Sequence, residues 1–200
     1  KSKFGARLEP GSHIDIQLYT GRTFDTVTQV ESIFNYGEAL TDDYSRWTIA
    51  GAIMEAAERF TSHEHEPALQ EFKLVTGAMK ALAEDKYEPS MILDAYLLRS
   101  LAVGGYAPSL INCSRCEKPG PHRYFSLVGG GSVCADCRPS ASATPAPETL
   151  KLMSDLISGD WESAMDSELR NRREANGLIA AYLQWHLERG LRSLQLVERS

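Results

Sequence analysis

The sequence lacks the features of a membrane-spanning or secreted protein. No apolar run among its 200 residues approaches the roughly 20 residues that a transmembrane helix requires. It shows no apolar leader of the secretory type, and it begins with Lys1 rather than with Met. We therefore exclude a membrane-spanning segment and expect the natural amino terminus to lie upstream of Lys1.

An excess of positive charge is also lacking. The chain has 21 basic and 27 acidic residues, a net charge of −6, which excludes a uniformly basic nucleic-acid binder. The charge is unevenly distributed, however. Residues 41–100 carry 6 basic and 11 acidic groups, whereas residues 113–138 carry 4 and 2, and residues 167–200 carry 6 and 4. A local basic surface is therefore still possible in the less acidic segments.

The usual catalytic motifs are absent. There is no G-x-S-x-G nucleophile elbow, no H-E-x-x-H zinc motif, and the glycines at 129–131 are not followed by the Lys-Ser/Thr of a phosphate loop. The sequence therefore predicts a protein that is not an enzyme.

Cysteines are few, and all four lie within one short segment. Cys113 and Cys116 form one C-x2-C pair, Cys134 and Cys137 form a second, and 17 residues separate the pairs. Structural disulfides usually close long loops, so this clustering favours a metal ion in a reducing compartment. Four thiolates at tetrahedral corners suit Zn²⁺, and iron is the main alternative. A C-x-x-C redox pair is disfavoured, because two pairs at zinc spacing would be a coincidence.

A site with four protein ligands has no open position for water, which argues against metal catalysis. Two roles remain open, a structural cross-link alone or a cross-link that also presents a contact surface. Zn²⁺ with four thiolates has a formal charge of −2, which cancels the +2 of residues 113–138. Discrete phosphate contacts by Arg115, Lys118, Arg123 and Arg138 remain compatible with this balance.

A β-hairpin is predicted over residues 13–33. Polar and apolar residues alternate from His13 to Tyr19, and Thr26 to Val30 is rich in β-branched residues. Two strands alone are only marginally stable. The hairpin must therefore pack on the helices or pair with strands upstream of Lys1.

Helical spacing of apolar residues predicts five helices after the hairpin. They begin near Thr41, Pro67, Pro89, Glu148 and Glu168, and the last is predicted to run to about Val197. The first three are expected to form a bundle core. Trp47, Phe72 and Trp185 are expected to be among the buried residues.

Two further groups of basic residues are candidates for phosphate contact. Lys1, Lys3 and Arg7 precede the hairpin and Arg22 lies at its turn, while a second group occupies the last helix: Arg170, Arg172 and Arg173. Sequence alone favours a solvated tail for the first group. It favours a solvated helix face with i,i+4 ion pairs for the second.

Several segments occur in an order that resembles one protein family. They are Phe4-Gly5-Ala6-Arg7-Leu8-Glu9-Pro10, Leu18-Tyr19, the Thr41–Phe60 helix, Tyr87-Glu88-Pro89, Leu97-Leu98, Gly105-Tyr106-Ala107-Pro108 and the two cysteine pairs. Together they resemble the RecO family of bacterial recombination mediators, and the actinobacterial zinc-binding members in particular.

The resemblance implies an α+β protein. Residues 1–37 would be the carboxyl-terminal part of an OB-fold whose first strands are missing. Residues 38–200 would be a helical domain with a four-cysteine zinc-binding insert at 110–140 and one structural Zn²⁺.

The family's function implies a non-enzymatic protein of the cytoplasm and nucleoid. It would bind single- and double-stranded DNA, anneal complementary strands, and with RecR help to load RecA on DNA coated by single-strand binding protein. The resemblance makes DNA contact plausible for Lys1, Lys3, Arg7 and Arg22. The basic residues of the zinc insert and the last helix are further candidates.

Two other hypotheses remain open. The chain could be a zinc-stabilised adaptor that recognises only proteins, or an enzyme whose site needs residues outside this sequence.

Overall fold

The computed structural model describes residues 4–61, 66–187 and 191–197, and in them a β-hairpin precedes a helical domain. A second, smaller hairpin is inserted between the fourth and fifth helices, so the predicted α+β class is confirmed. The strands are β1 (Ser12–Tyr19), β2 (Thr26–Asn35), β3 (Tyr124–Ser126) and β4 (Gly131–Val133). The helices are α1 (Tyr36–Leu40), α2 (Tyr44–Phe60), α3 (Leu69–Ala83), α4 (Pro89–Val103), α5 (Pro147–Ser158), α6 (Trp161–Met165) and α7 (Leu169–His186).

The first hairpin is antiparallel and stands at one end of the helical domain. Ile16 pairs with Val30, whose side chain is buried, while Ile16 and Leu18 are 42% and 47% exposed. The hairpin is joined to α1 by the Gly11 carbonyl, which accepts bonds from the backbone N–H groups of Tyr36 and Gly37 at 3.0 and 3.3 Å. In the described residues no third strand pairs with it. The helices therefore leave much of its apolar face uncovered.

The core is built around α4, which has apolar residues on every side. Ten of its fifteen residues are buried, and α2, α3, α5 and α7 all pack against it. A helix that is apolar all round must be covered all round. Its Pro89 occupies the first turn, where a missing N–H costs nothing, and Glu88 caps that turn by accepting from the N–H groups of Ser90 and Met91.

Three aromatic residues expected in the core lie at the surface instead. Trp47, Phe72 and Trp185 are 40%, 50% and 55% exposed. On α2 the buried face includes Ile49, Ile53 and Ala56, and Trp47 lies roughly 200° around the helix from Ile49. On α7 the buried stripe passes through Leu183, and Trp185 lies two residues further, roughly 200° around the helix.

The last helix is shorter than the sequence predicted. It ends at His186, and Leu187 is already extended with φ −94° and ψ 120°. The chain then returns to α2, where the backbone N–H groups of Arg192 and Ser193 donate to the two carboxylate oxygens of Glu55 at 2.9 and 2.8 Å. A straight helix would carry Leu191, which is buried, away from the core. In the described residues no helix has the length and apolar character needed to cross a membrane.

Two glycines should respond in opposite directions to alanine substitution. Gly159 ends α5 in the left-handed conformation at φ 86°, and a Cβ there would lie 3.1 Å from Nη2 of Arg99. We expect Gly159→Ala to lower the free energy of unfolding by about 1–2 kcal/mol. Gly177 lies exposed within α7 with open space around it. We expect Gly177→Ala to raise the free energy of unfolding by about 0.5–1 kcal/mol.

Urea denaturation of the two variants beside the unsubstituted chain measures both changes. Equal effects of the two substitutions would contradict the assignment of Gly159 as a left-handed cap.

Candidate metal centre and basic surface

The four cysteine sulfur atoms come together at one point. All four Sγ atoms lie within 4.8 Å of one another, and those of Cys116 and Cys134 are 3.8 Å apart. A zinc–thiolate bond of about 2.3 Å gives a tetrahedron with edges of about 3.8 Å. The donor set and its spacing therefore fit a tetrahedral metal ion. None of the four cysteines forms a disulfide.

Two loops and one hairpin bring the cysteines into place. In the first loop, the Glu117 N–H donates to the Cys113 carbonyl at 2.8 Å, with Glu117 at φ 59°, so the chain turns tightly after Cys116. In the second loop, the Cys137 N–H donates to the Cys134 carbonyl at 3.2 Å. The hairpin β3–β4 returns the chain between them.

The thiols of Cys113, Cys116 and Cys137 differ in how readily they ionise. The Cys134 N–H donates to Sγ of Cys113 at 3.4 Å, and this bond lowers the pKa of Cys113 to about 6. The thiols of Cys116 and Cys134 beside Cys137 raise the pKa of Cys137 to about 12. A bond from the Lys118 N–H favours the Cys116 thiolate, but the sulfurs of Cys113 and Cys134 and burial together outweigh it and raise the pKa of Cys116. A bound cation would favour the thiolate form of each ligand.

The segment that contains the four cysteines packs against the helical core. Phe125 of β3 is buried and meets Tyr182 of α7 edge to face, with ring centroids 5.8 Å apart. Phe125 and Ala143 exchange backbone hydrogen bonds of 2.9 and 2.8 Å. The Ser132 N–H donates to the Ser109 carbonyl at 2.6 Å. A change in the geometry of the cysteine site would therefore alter the packing of α7.

Basic residues predicted near the first hairpin have different surroundings. Lys1 and Lys3 lie outside the described residues. The Arg7 guanidinium donates to the Val30 carbonyl at 2.9 Å, which ties the residues before β1 to β2. Arg22 is exposed in the turn between β1 and β2.

The basic residues of the cysteine segment surround one aromatic ring. The guanidinium carbons of Arg123 and Arg138 lie 5.7 and 4.5 Å from the centre of the Tyr124 ring. Both arginines are exposed, as is Arg115 in the first cysteine loop. The sequence alone did not single out Tyr124. Its position directly after Arg123 was the available signal, but the approach of Arg138 depends on the closure of the site.

The three arginines at the start of α7 are not equivalent. Arg170 pairs with Glu168 at 2.9 Å and is largely exposed. The Arg172 guanidinium donates to Ser167 Oγ at 3.0 Å and to the Met165 carbonyl at 2.6 Å, which fastens α6 to α7. Arg173 is exposed. Among the described contacts, none joins arginines of the hairpin, the cysteine segment and α7 to one another.

Comparison with known proteins gives consistent matches. Residues 41–195 match the family model described as recombination protein O C terminal. The DNA repair protein RecO of Thermobifida fusca (strain YX) is 54% identical over 200 residues, which are all of this chain and 82% of that protein. RecO of Streptomyces avermitilis is 53% identical over 205 positions that cover the whole chain and 83% of that protein. RecO of Frankia casuarinae is 50% identical over 199 positions, covering 82% of that protein.

Removing one thiol should abolish metal binding. We expect Cys113→Ser to lose stoichiometric metal and to lower the melting temperature, because a closed site cannot spare a ligand. Metal content by mass spectrometry and thermal melting check this. Ser114→Ala is the matched control, since its buried hydroxyl makes no hydrogen bond within the part of the chain that the structure describes. Full metal content with unchanged melting of Cys113→Ser would refute the assignment.

Metal affinity should also depend on pH. Binding displaces protons from thiols such as Cys137, whose pKa is raised to about 12. We therefore expect the apparent affinity for Zn²⁺ to fall more than about tenfold for each unit of pH lowered below 7.5. Competition with a chelating dye across this range measures the dependence. A pH-independent affinity would mean that the thiols are not the ligands.

Proposed function

The chain belongs to the RecO family of DNA repair proteins, and we propose that it acts as a recombination mediator. It binds single- and double-stranded DNA, anneals complementary strands, and with RecR helps to load RecA on DNA coated by single-strand binding protein. Identity of 50–54% along the whole chain to RecO proteins is the observation that carries this proposal. No covalent chemistry is assigned, because a RecO protein is a non-enzymatic mediator. It works in the bacterial cytoplasm, at the nucleoid.

The domains proposed are those that the sequence suggested. Residues 1–37 form the carboxyl-terminal part of an OB-fold, and the exposed apolar face of β1 and β2 supports this because Ile16 and Leu18 need a cover. Residues 38–200 form the helical domain, with the zinc-binding insert at 110–140. The family model matches residues 41–195, so its match begins close to this proposed boundary.

The metal proposed for the site is a single Zn²⁺, held by Cys113, Cys116, Cys134 and Cys137. When bound, it supplies a cross-link between the two loops and neutralises part of the thiolate charge. The chain's own residues hold the rest of the insert in place through Phe125 and Tyr182. Iron remains the alternative metal, and metal analysis of the purified protein distinguishes the two.

DNA contact is proposed for the exposed basic side chains of the insert. Arg115, Arg123 and Arg138 contact phosphates, and the Tyr124 ring keeps the guanidinium groups of Arg123 and Arg138 close to each other. Such contacts are sequence-independent, as annealing requires. Lys1, Lys3, Arg7 and Arg22 extend the surface along the OB-fold part, and Arg170, Arg172 and Arg173 extend it along α7. Arg172 contributes least, because its guanidinium is already bonded.

The adaptor hypothesis has one observation in its favour. Residues 41–100 have a net charge of −5, which repels DNA and attracts basic proteins. Anisotropy of labelled single-stranded DNA across a salt series separates the two hypotheses. Affinity that falls steeply with salt supports the mediator. Binding to protein partners without any affinity for DNA would leave the adaptor.

Replacing both arginines beside Tyr124 should weaken binding to all DNA sequences alike. For the double substitution Arg123→Gln and Arg138→Gln we expect the slope of log affinity against log salt to flatten by roughly 0.7–1 for each lost phosphate contact. The matched control is Lys80→Gln, an exposed lysine that pairs with Glu84 on α3.

If the double variant still binds metal and its slope of log affinity against log salt is unchanged, contact between the insert and DNA is contradicted. That result would move the DNA surface to the basic residues of the first hairpin or of α7.

A further inference from the structure

A small cavity opens where α2, α3 and α4 meet, on elements other than the cysteine insert. It has a volume of about 300 Å³ and is lined by the end of α2, the residues that lead into α3 and the end of α4. Its apolar walls include Phe60, Leu69 and Val103, and the last two are 59% and 52% exposed. Among the described lining residues, Glu71 is the one that carries a charge.

The Glu71 carboxylate is buried, and its two oxygens are in different situations. Oε1 accepts hydrogen bonds from the Tyr96 hydroxyl and from Ser100 Oγ, the latter at 2.9 Å. Oε2 is buried and has no hydrogen-bond partner among the described residues. The residue as a whole is 4% exposed. A buried carboxylate oxygen without a donor is costly, so the arrangement favours a ligand that brings one.

Simple occupants fit this cavity poorly. A buried water needs two to four polar partners, and the walls around Glu71 are mostly apolar. Calcium takes six to eight oxygen ligands, whereas Glu71 offers one oxygen beyond the one that already accepts two hydroxyls. A lysine or arginine side chain fits better, because it has a charged donor at the end of a long apolar stem.

We infer that this cavity receives a basic side chain from a partner protein. Its charged head donates to the Glu71 carboxylate, whose buried Oε2 turns toward the cavity to accept it, and its stem lies along Leu69 and Val103 at the rim. The surrounding segment supports this partner, since residues 41–100 carry 11 acidic and 6 basic groups and favour the approach of a basic surface. The site is independent of the DNA contacts proposed above and does not require them.

The test uses the full chain and short peptides. A peptide Ac-Ala-Leu-Arg-Leu-Ala-NH2 is titrated by calorimetry beside the same peptide with citrulline, which keeps the shape of arginine without its charge. We expect binding of the arginine peptide and at least tenfold weaker binding of the citrulline peptide, because a charge-assisted hydrogen bond is lost. Glu71→Gln, which retains an acceptor for Tyr96 and Ser100, should lower the affinity for the arginine peptide at least tenfold.

Two further variants keep the inference falsifiable. Glu84→Gln removes an exposed carboxylate from the other end of α3 and should leave the affinity unchanged. Val103→Ser changes only the exposed rim. It should lower the affinity for the arginine peptide about threefold, and this measurement stands even if Glu71→Gln fails to fold. Equal binding of both peptides, equal binding by Glu71→Gln, or no binding by the unsubstituted chain would overturn the inference. Binding of spermidine but of neither peptide would also overturn it, in favour of a polyamine site.

Discussion

Burial of α4 on all sides is the constraint on which the rest of this structure depends. An apolar cylinder cannot be left partly in water, so α2, α3, α5 and α7 must surround it. The helix also carries polar groups that form hydrogen bonds with particular neighbouring helices. Asp94 accepts from Nδ2 of Asn176 on α7 at 3.1 Å, and the Arg99 guanidinium donates twice to the Leu156 carbonyl of α5. Apolar burial makes the bundle compact, and these bonds set which helix lies where.

The cysteine insert depends on the same core. It leaves the bundle after α4 and returns before α5, so both of its ends are held by helices that pack on each other. The contact of Phe125 with Tyr182 adds a third point of attachment. A metal ion that closes the two loops therefore stabilises a surface already oriented by the bundle. On that surface the guanidinium groups of Arg123 and Arg138 both lie near the Tyr124 ring.

Charge segregation reconciles an acidic protein with a role in DNA repair. Basic side chains are exposed on the cysteine insert, at the turn of the first hairpin and at the start of α7. Acidic groups are concentrated between residues 41 and 100, where Glu71 is buried within the bundle. Under the proposed mediator role, the basic side chains would face DNA and the acidic segment would face basic proteins.

The sequence by itself determined the class of fold, the first hairpin, the start of α4 at Pro89 and the pairing of the four cysteines in one short segment. These features are local: they follow from alternation, helical spacing, helix-start residues and the C-x2-C pairs. The sequence misplaced Trp47, Phe72 and Trp185 and made α7 too long, because periodicity does not say how closely two helices approach or when a chain must turn back. Tertiary structure alone decided three features. They are the contact of Arg138 with the Tyr124 ring, the hydrogen bonds of Arg172 to Ser167 and Met165, and the Glu71 oxygen that lacks a partner among the described residues. Each of these depends on residues distant in sequence, which meet only when the bundle closes around α4.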